Sequence, residues 1–110
     1  MCGIVGFISS NINSETELKS EIIKMSNRIS HRGPDSDGFW LDQENNIALG
    51  HKRLSIQDLS SNGNQPMISS NKRYVIVFNG EIYNHLHIRN SLVNSNISWK
   101  GNSDTETLLE

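Results

Sequence analysis

Two residue types in this chain of 110 residues raise the question of chemistry, its single cysteine and its four histidines. A lone cysteine in an apolar run is ordinarily a small core residue. Cys2, however, directly follows the initiator methionine. Methionine excision proceeds when the second residue is small, and here it would leave a thiol and a free α-amine on one residue. An α-amine has an unperturbed pKa of ~7.7–8.0. It can therefore take the thiol proton itself, directly or through one water, as in other nucleophiles paired with an N-terminal amine. No histidine is required. His31, His51, His85 and His87 invite a metal reading, but residues at i and i+2 share a face only on a strand, and the segment holding His85 and His87 reads as the start of a helix. No cysteine or carboxylate set completes a ligand shell, so no metal site is expected.

The elements that must hold Cys2 are legible around it. Residues 2 to 9, Cys-Gly-Ile-Val-Gly-Phe-Ile-Ser, form a mostly apolar run typical of a buried strand. Ser14 followed by Glu17 is a capping-box pattern, and Leu18, Ile22, Met25 and Ile29 then mark one face of a helix ending near Ile29. His31 to Gly38 is dense in turn formers and predicts an ordered loop. Strands are expected over Phe39 to Leu41 and Ile47 to Ile56, with a turn near Gln43 to Asn46, and Ser60 to Pro66 reads as a second polar loop. Tyr74 to Phe78 is the strongest strand signal, and Asn79-Gly80 before Glu81-Ile82-Tyr83 is a strong hairpin signal. A helix is expected over Asn84 to Val93, a short strand over Ile97 to Trp99, and a second capping box, Ser103 with Glu106, starts a last helix. Strands interleaved with helices predict an α+β layered domain.

Composition bounds the alternatives. Ten Lys and Arg against twelve Asp and Glu give a net charge of −2, which provides no electrostatic drive toward nucleic acid or an anionic membrane. No run approaches the ~18 apolar residues of a membrane span, and Gly3, Gly6, Ser9 and Ser10 interrupt what would be the core of a signal peptide. With one cysteine there is no internal disulfide, so the expected compartment is the cytoplasm. The chain stops one or two turns into its last helix without a cap, which reads as a domain continuing beyond residue 110. The 110 residues by themselves are then expected to fold poorly.

Five segments occur in order: Cys2-Gly3-Ile4-Val5-Gly6, His31-Arg32-Gly33-Pro34-Asp35, Arg53-Leu54-Ser55-Ile56, Asn79-Gly80-Glu81-Ile82-Tyr83-Asn84 and Ser103-Asp104-Thr105-Glu106. Together they resemble the class II glutamine amidotransferase domain of the glutamine-dependent asparagine synthetase family, from residue 2 to the end of the chain. The resemblance implies the αββα sandwich of N-terminal-nucleophile hydrolases, of which residues 1–110 would be the first half or slightly more. It implies Cys2 as nucleophile toward the carboxamide of L-glutamine, with the Asn79 side chain and the Gly80 backbone N–H as oxyanion hole. It further implies Arg53 as partner of the substrate α-carboxylate, Asp104 with Glu81 beside it as acceptor for the α-ammonium, and backbone groups of Leu54, Ser55, Ile56 and Gln57 along the pocket. Gln57 stands where the family is associated with an apolar residue. His31 and Arg32 would brace the loop around Pro34.

Ammonia released at such a site would travel to a C-terminal synthetase domain that uses ATP and Mg²⁺ to amidate aspartate to asparagine, a ligase reaction of asparagine biosynthesis. No Ser-Gly-Gly-x-Asp-Ser phosphate loop lies within these residues, so no cofactor is expected here. Expected partners are L-glutamine and that synthetase domain, with no nucleic acid and no membrane; a homodimer is compatible with the sequence. Two other readings stay open: a relative amidating another acid, such as a sugar of surface-polysaccharide synthesis, and an inactive fragment acting only as a binding module.

Overall fold

The computed structural model describes residues 1–56 and 58–110. It is a mixed α and β structure built around a three-stranded antiparallel sheet in the order β1-β3-β2, where β1 is Gly3–Ile8, β2 is Ser36–Asp42 and β3 is Ile47–Arg53. The β2–β3 hairpin closes through residues 43–46. Asp42 accepts hydrogen bonds from both the backbone and the side chain of Asn45, and Asn46 takes a left-handed φ of 52°. Helix α1, Glu15–Arg28, starts where expected: the Ser14 hydroxyl accepts from the Glu17 N–H at 3.2 Å. The Glu17 carboxylate reaches back to the Asn13 N–H rather than to that of Ser14, so the capping box is offset by one residue.

Alternation along the strands decides what each face of the sheet does. Val5, Phe7, Ala48 and Leu41 point toward α1 and pack with Leu18 and Ile22, the fully buried core of the domain. Burying two such side chains contributes about 1.5–3 kcal/mol each. Pairing of Ile4 with His51 and of Gly38 with His51 puts the opposite parity on the far face. Cys2, His51 and Arg53 therefore share that face. Segment 63–66 lies against it, and Gly38 permits this because a Cβ there would collide with the Gln65 carbonyl.

Beyond the sheet the sequence signals weaken. A second sheet contains only β4, Met67–Ile68, and β5, Val75–Ile76, so the strand expected over Tyr74 to Phe78 is cut to two residues. The reason is a contact distant in sequence: the Phe78 N–H donates to the Gln65 side chain at 2.6 Å. Asn79-Gly80 is not a hairpin turn. The tight turn favoured by Asn-Gly needs φ > 0 at both residues, and neither has it. Residues 97–99 form no strand. Trp99 instead lies under the Arg89 guanidinium, 3.9 Å from the ring centroid, on helix α2, His85–Ser91. β3 ends at Arg53 rather than at Ile56, and β2 begins three residues inside the expected 31–38 loop. The 60–66 loop contains one 3₁₀ turn, Ser61–Gly63.

Helix α3, Asp104–Leu109, is capped by Ser103, whose hydroxyl accepts from the Glu106 N–H at 3.2 Å. The Glu106 carboxylate completes no box. It accepts from the backbone N–H groups of Lys100 and Gly101 and pairs with Arg89 at 3.4 Å. No helix among the described residues is long and apolar enough to cross a membrane.

Candidate active site

Cys2 enters the site from the first residue before β1, on the sheet face away from α1. Its Sγ lies 3.3 Å from the Leu54 N–H, which donates to it, and 3.6 Å from the Leu54 carbonyl. Two elements fix this position. Arg32 Nε donates to the Cys2 carbonyl at 3.0 Å, which makes Arg32 a brace for the nucleophile's own backbone. The 33–35 loop is stapled to the end of β3: the Asp35 N–H donates to the Arg53 carbonyl at 3.0 Å, and the Asp35 carboxylate accepts from the Ser55 N–H at 2.6 Å. Gly33 makes this possible, since any Cβ there would overlap the Lys52 and Arg53 backbone. His31 is exposed.

A cavity of about 330 Å³ opens at the thiol, at the lower end of the ~300–1,000 Å³ range of small-molecule sites. Cys2, Arg53, Leu54, Ile56, Asn79, Gly80, Glu81 and Asp104 all line it. Met1, whose removal would free the Cys2 amine, lines it too and is largely exposed. Ser55 does not line it; its N–H is spent on Asp35. Gln57 lies outside the described residues.

The polar groups around the cavity are individually held. Both Asp104 oxygens accept backbone donors, Oδ2 from Ile82 and Oδ1 from Thr105, each at 2.8 Å. The carboxylate is buried and its direction is fixed by segment 82 on one side and α3 on the other. Arg53, also buried, organises the 58–64 loop. Nη1 donates at 2.8 Å to the Ser60 carbonyl and to Asn64 Oδ1, and Nη2 donates to the Asp58 carbonyl. Gly63 packs against this guanidinium so closely that no side chain fits. Of the five guanidinium N–H groups, three are thus engaged and two make no hydrogen bond with the described residues. The Ser60 hydroxyl, followed by the Asn102 N–H, holds the Asp58 carboxyl below the usual range, with burial opposing.

Sequence reasoning missed several cavity residues, and two of them bear most on the chemistry. His51 is 1% exposed, and neither ring nitrogen has a hydrogen-bond partner among the described residues. Burial is the main cause that pushes its pKa down, the Arg53 charge acts the same way, and the nearby Phe78 backbone opposes both. Its signal was available: His51 lies two residues before Arg53, and on a strand that parity means a shared face. Gln65 is the other, buried and in contact with both Phe78 and Thr105.

The profile of the glutamine amidotransferase domain matches residues 1–110. The chain belongs to that family. The amidotransferase chain is 43% identical over 110 residues to asparagine synthetase [glutamine-hydrolyzing] 1 of Bacillus subtilis, covering 99% of this chain and 17% of that protein. It is 39% identical over 126 aligned residues to putative asparagine synthetase [glutamine-hydrolyzing] 2 of Methanocaldococcus jannaschii, covering 100% of this chain and 23% of that protein. It is 37% identical over 117 residues to amidase chry2 of Gibberella zeae, covering 99% and 17%. This amidotransferase chain thus spans about a fifth of the length of the curated relatives it matches.

Proposed function

We propose that this domain hydrolyses L-glutamine to glutamate and ammonia, with Cys2 as nucleophile after loss of Met1. The observation that carries the reading is the placement of Cys2 Sγ at a cavity lined also by Asn79, Gly80, Asp104 and Arg53, in a chain of the glutamine amidotransferase family. The freed α-amine takes the thiol proton, and sulfur adds to the carboxamide carbon. The Asn79 NH₂ and the Gly80 N–H stabilise the resulting oxyanion, a contribution of about 3–4 kcal/mol per donor in comparable sites. The protonated amine returns its proton to the departing nitrogen, ammonia leaves, and water cleaves the thioester to glutamate. Asp104, with Glu81 at the rim, accepts from the substrate ammonium; the two unengaged Arg53 N–H groups receive the α-carboxylate. The Leu54 N–H donates to sulfur, and Leu54 and Ile56 complete the wall.

In the full protein we propose that the ammonia serves a C-terminal synthetase domain that uses ATP and Mg²⁺ to convert aspartate to asparagine, in the cytoplasm. The names of the Bacillus and Methanocaldococcus relatives support that product. A relative named an amidase, matched over a similar share of its length, supports a different amidated acid as the second reading. The αββα sandwich and a homodimer belong to the same proposal.

The test is at the N-terminus. The full-length protein with an uncleavable N-terminal tag, which turns the amine into a non-basic amide, should release no ammonia from glutamine. Exposing Cys2 by proteolysis should restore release, with mass spectrometry confirming the terminus. Cys2→Ala should be inactive on glutamine while still using free ammonia. Full activity with the tag in place would overturn the free-amine mechanism.

A further inference from the structure

The Asn79-Gly80-Glu81 tripeptide is flanked by two hydrogen-bonded anchors. At its near end the Phe78 N–H donates to Gln65 Oε1 at 2.6 Å. At its far end the Ile82 N–H donates to Asp104 Oδ2 at 2.8 Å. The anchors are themselves joined: Gln65 Nε2 donates to Thr105 Oγ1 at 3.2 Å, and the Thr105 N–H donates to Asp104 Oδ1 at 2.8 Å. Gln65 is 8% exposed and Thr105 5%, so water competes little for these bonds and an unmade one would be costly. A glutamine side chain suits the task because its amide offers an acceptor and donors at one end of a chain long enough to cross the gap.

We infer that Gln65 is a positioning residue that sets the distance between the two halves of the substrate site, the Asn79-Gly80 donors and the Asp104 carboxylate. The inference rests on the glutaminase reading for its kinetic consequences but not for the tether itself. A glutamine molecule must meet both halves at once, its carboxamide at one and its ammonium at the other. Their spacing therefore governs alignment of the carboxamide with the thiol as well as affinity. A side chain that merely stabilised the fold would lower the fraction of active molecules and leave KM unchanged. A side chain that sets the spacing moves kcat and KM together.

The experiment uses the full-length protein with Gln65→Met, which keeps volume and removes both hydrogen bonds, with Thr105→Val, and with the double variant. Thiol alkylation counts active sites. Gln65→Met should lower kcat per active site by about 10- to 100-fold and raise KM for glutamine several-fold. Thr105→Val should raise KM about 3- to 10-fold alone and add at most about twofold to Gln65→Met, because both act through one contact. Unchanged KM in Gln65→Met, or effects that multiply fully in the double variant, would overturn the inference. Amide hydrogen exchange supplies the readout that does not depend on turnover: Gln65→Met should weaken protection at both Phe78 and Ile82, and loss at Phe78 alone would also overturn it. A wild-type protein that releases no ammonia from glutamine would sink the glutaminase reading, and the exchange data would still decide the tether. Where circular dichroism shows Gln65→Met to be unfolded, Thr105→Val carries the decision, and an unchanged KM there refutes the proposal.

Discussion

Burying His51 has a cost that depends on pH. Its folded pKa lies below the ordinary value, chiefly through burial, so between the folded value and about 6.5 the unfolded chain binds more protons than the folded one. Stability is then complete above about pH 6.5 and declines as pH falls below it. His51→Phe keeps the ring volume and removes the titration, so its thermal midpoint should vary less over this range; equal slopes for variant and wild type would exclude His51 as the source. Other side chains separate by kinetic signature. Asn79→Ala should lose about 10²–10³ in turnover with little change in KM. Asp104→Asn keeps an acceptor for one of its two backbone donors and removes the charge, so KM for glutamine should rise roughly 10- to 150-fold, and a normal KM would remove Asp104 from the ammonium site. Arg53→Ala is a poor probe of carboxylate binding because it would also release the 58–64 loop. Much of this site was readable because its residues fall in short motifs. Arg53's second duty to three loop acceptors was not, since nothing in Arg-Leu-Ser-Ile indicates where the guanidinium points. Gln65 gave no signal at all: its partners are 13 and 40 residues away.

At the level of elements, the caps are where local sequence and function meet. Ser14 and Ser103 each accept the N–H of the residue three positions on, at 3.2 Å in both cases. Replacing either by alanine should cost about 1 kcal/mol, yet the two variants should differ in activity. Ser14→Ala loosens a helix that only covers the core face of the sheet and should leave KM for glutamine near wild type. Ser103→Ala frees the first turn of α3, where Asp104 and Thr105 sit, and should raise KM as well as lower the thermal midpoint. Equal kinetics in the two variants would show that α3 does not position the site. The same contrast explains which elements the sequence revealed. α1, β1 and the β2–β3 hairpin follow from periodicity and from turn residues that lie next to one another. β5 and the 97–99 segment do not, because side chains distant in sequence, Gln65 and Arg89, take over Phe78's N–H and Trp99's ring.

Across the whole molecule, the outer edges of β1 and β2 have no strand partner among the described residues, and Ile8, Leu59 and Tyr83 are more than three-quarters exposed. Open edges and exposed apolar side chains favour self-association. The isolated 110-residue polypeptide should therefore sediment as a concentration-dependent mixture and melt over a broad range; a monodisperse species with a sharp transition would show that these surfaces are tolerated in water. One feature of the cavity reaches further than the fold. Met1 lines it next to Cys2, so on the free-amine reading proposed above a newly synthesised molecule waits for removal of its first residue. Abundance and activity are then separate quantities, linked by the aminopeptidase that trims the chain. A pulse of synthesis should be followed by a lag before ammonia release, and the length of that lag should track peptidase supply rather than translation rate.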